Sequence, residues 1–213
     1  MVYPSETGEG NAMYEWLTVG YELLSGMIPF GIFLHMYQRK SDIPVRDRIW
    51  LGMFAVYIIG VFYVTGAGTI YDAMRASFDD LHRRVNLIPF SREINVVGYV
   101  LNIVMFVPFG FLTSKIVGKM NSTYHTILFG FGFSLLIEIS QLLTHRGTDV
   151  DDLIMNTMGA VLGWMVYRIW NRTVGCQPCG VPMKILPITI LVIFAGRFFL
   201  FNMLGLINLI YGF

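Results

Sequence analysis

Charge is scarce in this sequence. Only 14% of its 213 residues are charged and 55% are hydrophobic, whereas a soluble domain carries about 25% charged residues. A soluble core could not use that many apolar residues without exposing them. The net charge of +1 excludes the basic footprint of a nucleic-acid binder. The first fifteen residues hold Glu6, Glu9 and Glu15 but no Lys or Arg. The basic start of a secretory leader is therefore missing, and no cleavage is expected. Cysteine is nearly absent. Cys176 and Cys179, in Gly-Cys-Gln-Pro-Cys-Gly, cannot alone complete a four-ligand zinc site. A redox pair is possible in principle, but a reduced, Pro/Gly-bent loop is the plainer reading. The sequence has no paired His ligands, no metalloprotease pair and no Gly-x-Ser-x-Gly elbow. No metal or cofactor is expected.

Apolar runs are abundant, several of them near the 20 residues or so that a bilayer crossing needs. They predict an all-α, polytopic membrane bundle in a single domain over 1–213, with about six spans. The spans are Trp16–Tyr37, Ile49–Ile70, Val96–Ser114, Thr123–Leu143, Leu153–Trp170 and Ile185–Leu209. Orientation follows from Lys and Arg. Arg39, Lys40, Arg46, Arg48, Lys115, Lys119, Arg168, Arg172 and Lys184 fall on one side, and Arg75, Arg83, Arg84, Arg92 and Arg146 on the other. The richer side should be cytoplasmic, which puts both termini outside. Between the second and third spans, Met74, Phe78, Leu81 and Val85 recur at helical spacing, with Asp72, Arg75, Asp79, Asp80 and Arg83 between them. This predicts an amphipathic helix within Tyr71–Asn95, lying in the outer interface.

Polar residues within the spans carry the functional signal, because each is costly in hydrocarbon and tends to face the bundle interior. Asn95 and Asn102 are seven apart, while Glu138, Gln141 and His145, and again Asp149, Asp152 and Asn156, are spaced three and four. Each set therefore occupies one helical face. All three faces fall in the expected outer half, with Glu138 roughly 8 Å below the end of its span. Buried Asn, Gln and Glu can also simply join helices, and for Asn102 and Asn156 that reading is as good. Arg197, in the sixth span, needs a carboxylate partner, with Glu22 and Glu138 both in reach. Pro29 and Pro108 can kink their helices. Gly159 and Gly163 form a Gly-x-x-x-Gly that permits close packing within the chain.

Read in order, Asn86-Leu-Ile-Pro89-Phe90, Asn102, Phe106-Val-Pro108-Phe-Gly-Phe111, Glu138-x-x-Gln141, Arg146, Asp149 and Asp152-Leu-Ile-Met-Asn156-x-x-Gly159-Ala160-x-x-Gly163 resemble the VanZ-like family of bacterial membrane proteins. The likeness covers about Asn86–Trp164. It implies a small multi-pass protein of the bacterial cytoplasmic membrane, of a family whose namesake is linked to resistance against the glycopeptide teicoplanin. The motif implies site residues at Asn86, Pro89, Asn102, Pro108, Glu138, Gln141, Arg146, Asp149, Asp152 and Asn156.

Three functions fit these residues. In the first, an outward-facing pocket lined by Asn86, Asn102, Glu138, Gln141, Arg146, Asp149, Asp152 and Asn156 binds a membrane lipid, a lipid-linked cell-wall precursor or a lipoglycopeptide. Arg146 would then meet phosphate or carboxylate. In the second, Glu138, Asp149 and Asp152 act as general acid or base on a lipid-linked or cell-wall substrate. In the third, the buried charges serve a transporter or its subunit, although no inverted repeat is visible.

Overall fold

A computed structural model describes residues 8–75, 85–91, 95–117, 123–144, 147–175 and 178–202. The chain is all-α apart from one minimal strand pair. In order, the elements are α1 (Gly8–Gln38), α2 (Val45–Thr65), α3 (Ile70–Ala73), β1 (Val85–Asn86), α4 (Val96–Ile116), α5 (Thr123–Gln141), β2 (Thr148–Asp149), α6 (Val150–Val174) and α7 (Ile185–Leu200).

Among the described residues, three helices are long and apolar enough to cross a membrane: Trp16–Gln38, Val45–Ala73 and Val96–Ile116. The all-α expectation holds, and the expected count of six spans goes beyond these three. The spacing signal marked α5, α6 and α7 as helices, but α5 and α6 carry Glu138, Asp151, Asp152 and Asn156, which dilute their apolar character. The described α7 helix has 16 residues and stops at Leu200, where Phe201 turns extended; the expected span's remainder at 203–209 lies outside the described residues. The expected amphipathic helix also needs correction. Phe78, Leu81 and Arg83 lie outside the described residues, but Val85–Asn86 is a strand and Ile88–Phe90 a turn. The helical spacing therefore does not extend through Val85, where pairing with Thr148–Asp149 draws the chain into a strand.

Small residues set the packing. A Cβ on Gly110 would lie 1.8 Å from the Ala160 carbonyl oxygen, one on Gly159 2.2 Å from that of Ile103, and one on Gly163 1.9 Å from that of Val107. These glycines let α4 and α6 touch backbone to backbone, the arrangement by which helices gain van der Waals contact without a hydrophobic driving force. Gly130 likewise admits Ala160, and Gly196 of α7 admits Pro29 and Ser25 of α1. Between these pairs an aromatic core forms from Phe54, Phe62, Phe106, Phe109 and Phe133, with Phe109 and Phe133 stacked at 5.1 Å. Pro108 interrupts the hydrogen bonding of α4. In the same turn Tyr57 Oη donates to the Met105 carbonyl at 2.8 Å.

Antiparallel succession brings the end of α2, the start of α4, the end of α5 and the start of α6 together at one end of the bundle. This is the polar end. The opposite end holds Arg46, Lys115 and the close of α6.

Candidate functional site

The polar end is held by a knot of side chains around the start of α6. β1 pairs in parallel with β2, with Val85 opposite Thr148 and Asn86 opposite Asp149. Asn86 then donates through Nδ2 to both Asp149 carboxylate oxygens, at 3.2 Å each. Its Oδ1 accepts from the Ser91 hydroxyl at 2.9 Å and from the Ile88 N–H at 3.2 Å. One amide therefore ties the Asn86–Ser91 turn to the α6 terminus. Pro89 sits in that turn, and Phe90 takes a positive φ of 54°, a strained choice for a bulky side chain. Asp151 holds it there: Oδ1 accepts the Phe90 N–H at 2.8 Å and Oδ2 accepts the Tyr99 hydroxyl at 2.5 Å.

Asp149 is the N-cap of α6, accepting the Asp151 N–H at 3.0 Å. Carboxylates in this first turn suit the positive end of the helix dipole. Glu138, 4% exposed at the close of α5, accepts the Asp149 N–H at 3.2 Å. Asp152 accepts from Asn102 Nδ2 at 2.6 Å. One turn deeper, Asn156 donates to Ser134 Oγ at 2.9 Å. Asn86, Asp149 and Glu138 are thus linked across the strand pair and α5, and the pairs Asn102–Asp152 and Asn156–Ser134 tie α6 to α4 and α5 on the neighbouring turns. Asp151 and Tyr99 belong to the linked group as well. Sequence reasoning passed over both, although an aspartate two residues past a capping aspartate was an available signal.

Gln141 points elsewhere. Its Nε2 donates to the Thr65 carbonyl at 2.8 Å, satisfying one of the carbonyls that the end of α2 leaves free. Arg146 and His145 lie outside the described residues. Gly159 and Gly163 are in the α4–α6 contact, away from the carboxylates, and Pro108 is exposed on α4.

A second polar feature joins three elements. Arg197 Nε donates to Glu22 Oε1 at 2.6 Å, with both side chains 5% exposed. Of the two carboxylates open to Arg197, the partner is Glu22 of α1, not Glu138. The guanidinium also donates to the carbonyls of Ala67 and Gly68, in the break after α2 where Gly66 adopts a left-handed φ of 62°. Arg197 thereby fixes α1, α7 and the α2–α3 link to one another.

At the opposite end, Lys115 is fully buried, its Nζ 5.3 Å and 5.4 Å from the ring centres of Trp50 and Trp170. Cation–π attraction offsets part of its desolvation. The Cys179 N–H donates to the Lys115 carbonyl at 3.0 Å, and the Gly180 N–H to Asp47 Oδ2 at 3.0 Å. The Cys179 thiol is free, and burial together with its hydrogen bond to Asp47 pushes its pKa up to about 11. Lys115 had counted as a loop charge in the sequence reading; it is instead a buried structural cation.

The chemistry on offer at the polar end is hydrogen-bond acceptance by four clustered carboxylates, at the margin of an apolar bundle. The VanZ/LLP1 family model matches residues 54–171, a range that contains every member of this group but excludes Glu22, Cys179 and Arg197. Protein VanZ of Enterococcus faecium is 29% identical over 125 residues, covering 57% of this chain and 74% of that protein. No solved structure matches. With more than half of its length matched by the family model, and its polar end built from that matched region, this membrane protein belongs to the VanZ/LLP1 family.

Proposed function

We propose that the polar end faces the outside of the bacterial cytoplasmic membrane and receives the polar part of an amphiphile: a lipid, a lipid-linked cell-wall precursor or a lipoglycopeptide. Through that binding the protein would contribute to glycopeptide (teicoplanin) resistance or to cell-envelope homeostasis. The observation that carries this reading is the joining of Asn86, Tyr99, Glu138, Asp149 and Asp151 from four separate segments into one network, with the Asn102–Asp152 pair beside it. Helix gluing alone needs only isolated pairs. Here Asn86 and Asp151 also hold a turn carrying Leu87, Ile88 and Phe90, which are 73%, 68% and 52% exposed. An apolar tip beside a carboxylate cluster is suited to an amphiphile at the interface. The clustering of Lys and Arg toward the other end fits a cytoplasmic placement of that end.

The test is teicoplanin susceptibility of a native-type host with the gene deleted, then complemented by wild type, Glu138→Gln, Arg146→Ala or Asp152→Asn at equal membrane levels. Deletion should sensitise the cells, and the variants should fail to restore resistance. Unchanged susceptibility on deletion would remove the link to the drug.

A further inference from the structure

Among the described residues, the two carboxylates at the centre of the polar end each use one oxygen in a hydrogen bond. Glu138 Oε2 accepts the Asp149 N–H and Asp152 Oδ1 accepts from Asn102. Glu138 Oε1 and Asp152 Oδ2 have no hydrogen-bond partner among the described residues. The two charges act on each other. The Arg46–Asp47 and Arg197–Glu22 ion pairs involve neither Glu138 nor Asp152.

Asn156 lies one turn below Asp152 on the same face of α6 and is 2% exposed. Its Nδ2 is committed to Ser134, and its Oδ1 has no partner. Helical side chains lean toward the helix N-terminus, which here aims the amide at the carboxylates. A buried acceptor left empty is costly.

All three unfilled positions, Glu138 Oε1, Asp152 Oδ2 and Asn156 Oδ1, are therefore acceptors. Facing carboxylates at a low-dielectric margin are expensive until a proton or a cation joins them. An ammonium group has three N–H donors and no acceptor. Resting on the reading that the polar end binds an amphiphile, we infer that the group received by Glu138, Asp152 and Asn156 is a primary ammonium. It would be carried by a membrane aminophospholipid or by a free amphiphilic amine. A phosphate or carboxylate placed against these three atoms would meet acceptors.

The experiment uses the full chain in phosphatidylglycerol nanodiscs and compares paired probes. Dodecylamine is set against dodecanol, and short-chain phosphatidylethanolamine against its N-acetylated form. Each amine should bind at least about tenfold tighter than its partner lacking the ammonium, as charge-assisted hydrogen bonds require. Glu138→Gln and Asp152→Asn should each erase most of that preference while dodecanol binding is retained, which also shows that the variants are folded. Preference for dodecylamine alone would keep the ammonium site and place its source outside the aminophospholipids. Equal binding within both pairs would overturn the inference and leave a shared proton as what neutralises the carboxylates. If no amphiphile binds at all, the proposed function falls with it.

Discussion

Replacing Arg197 by methionine keeps most of the side-chain length but removes the guanidinium. Glu22, whose side chain is 5% exposed, then loses its counter-charge at 2.6 Å, and the Ala67 and Gly68 carbonyls lose their donor. Removing one member of a buried pair costs about 3–5 kcal/mol, because the remaining charge is stranded. At about 2–4 °C per kcal/mol for a chain of this size, the detergent-solubilised protein should melt on the order of 10 °C lower. Glu22→Leu alone should also destabilise, since it strands Arg197. The double variant should lose less than the sum of the two, with a coupling of at least about 1 kcal/mol. The assay is a complete double-mutant cycle on melting temperature. Additive effects within about 0.5 kcal/mol would refute the claim that this pair clamps α1, α7 and the α2–α3 link.

The helix contact and the Cys179 loop make further predictions. Gly163→Ala would drive a methyl into the Val107 carbonyl, 1.9 Å away. It should cost more than about 2 kcal/mol and lower the membrane level, whereas Gly132→Ala, with open space around it, should be neutral or slightly stabilising. In a Cys176→Ser background, the Cys179 thiol should resist iodoacetamide at neutral pH until the protein is unfolded, since its pKa is pushed up to about 11. Folding raises this pKa from 9.0, so the folded state holds the proton longer. The stability this contributes is complete below pH 9 and declines as pH rises toward about 11, a slope that Cys179→Ser should flatten.

Much of the bundle was legible because helical spacing and apolar runs are local signals. The faces bearing Glu138 with Gln141, and Asp152 with Asn156, could be read from steps of three and four. Which faces meet could not. Asn86 and Asp149 stand 63 residues apart, and a two-residue strand has no alternation to detect. Gly159 and Gly163 announced close packing, but the other side of the contact, the Ile103 and Val107 carbonyls and Gly110, carries no pattern of its own. Gln141 shared a face with Glu138 by spacing, yet the end of α2 offered it a free carbonyl and drew it away. Lys115 was misread because charge near a helix end normally signals solvent, and only tertiary structure supplies the two tryptophans that shelter it.

The central claim is that the polar end binds an amphiphile. Its most direct test is a binding isotherm of labelled teicoplanin, alongside a lipid-linked cell-wall precursor, on the purified protein in nanodiscs. Wild type should bind at least one of them saturably, and Glu138→Gln and Asp152→Asn should weaken that binding by about tenfold or more without lowering the melting temperature. No saturable binding of either, or binding unchanged in both variants, would contradict it.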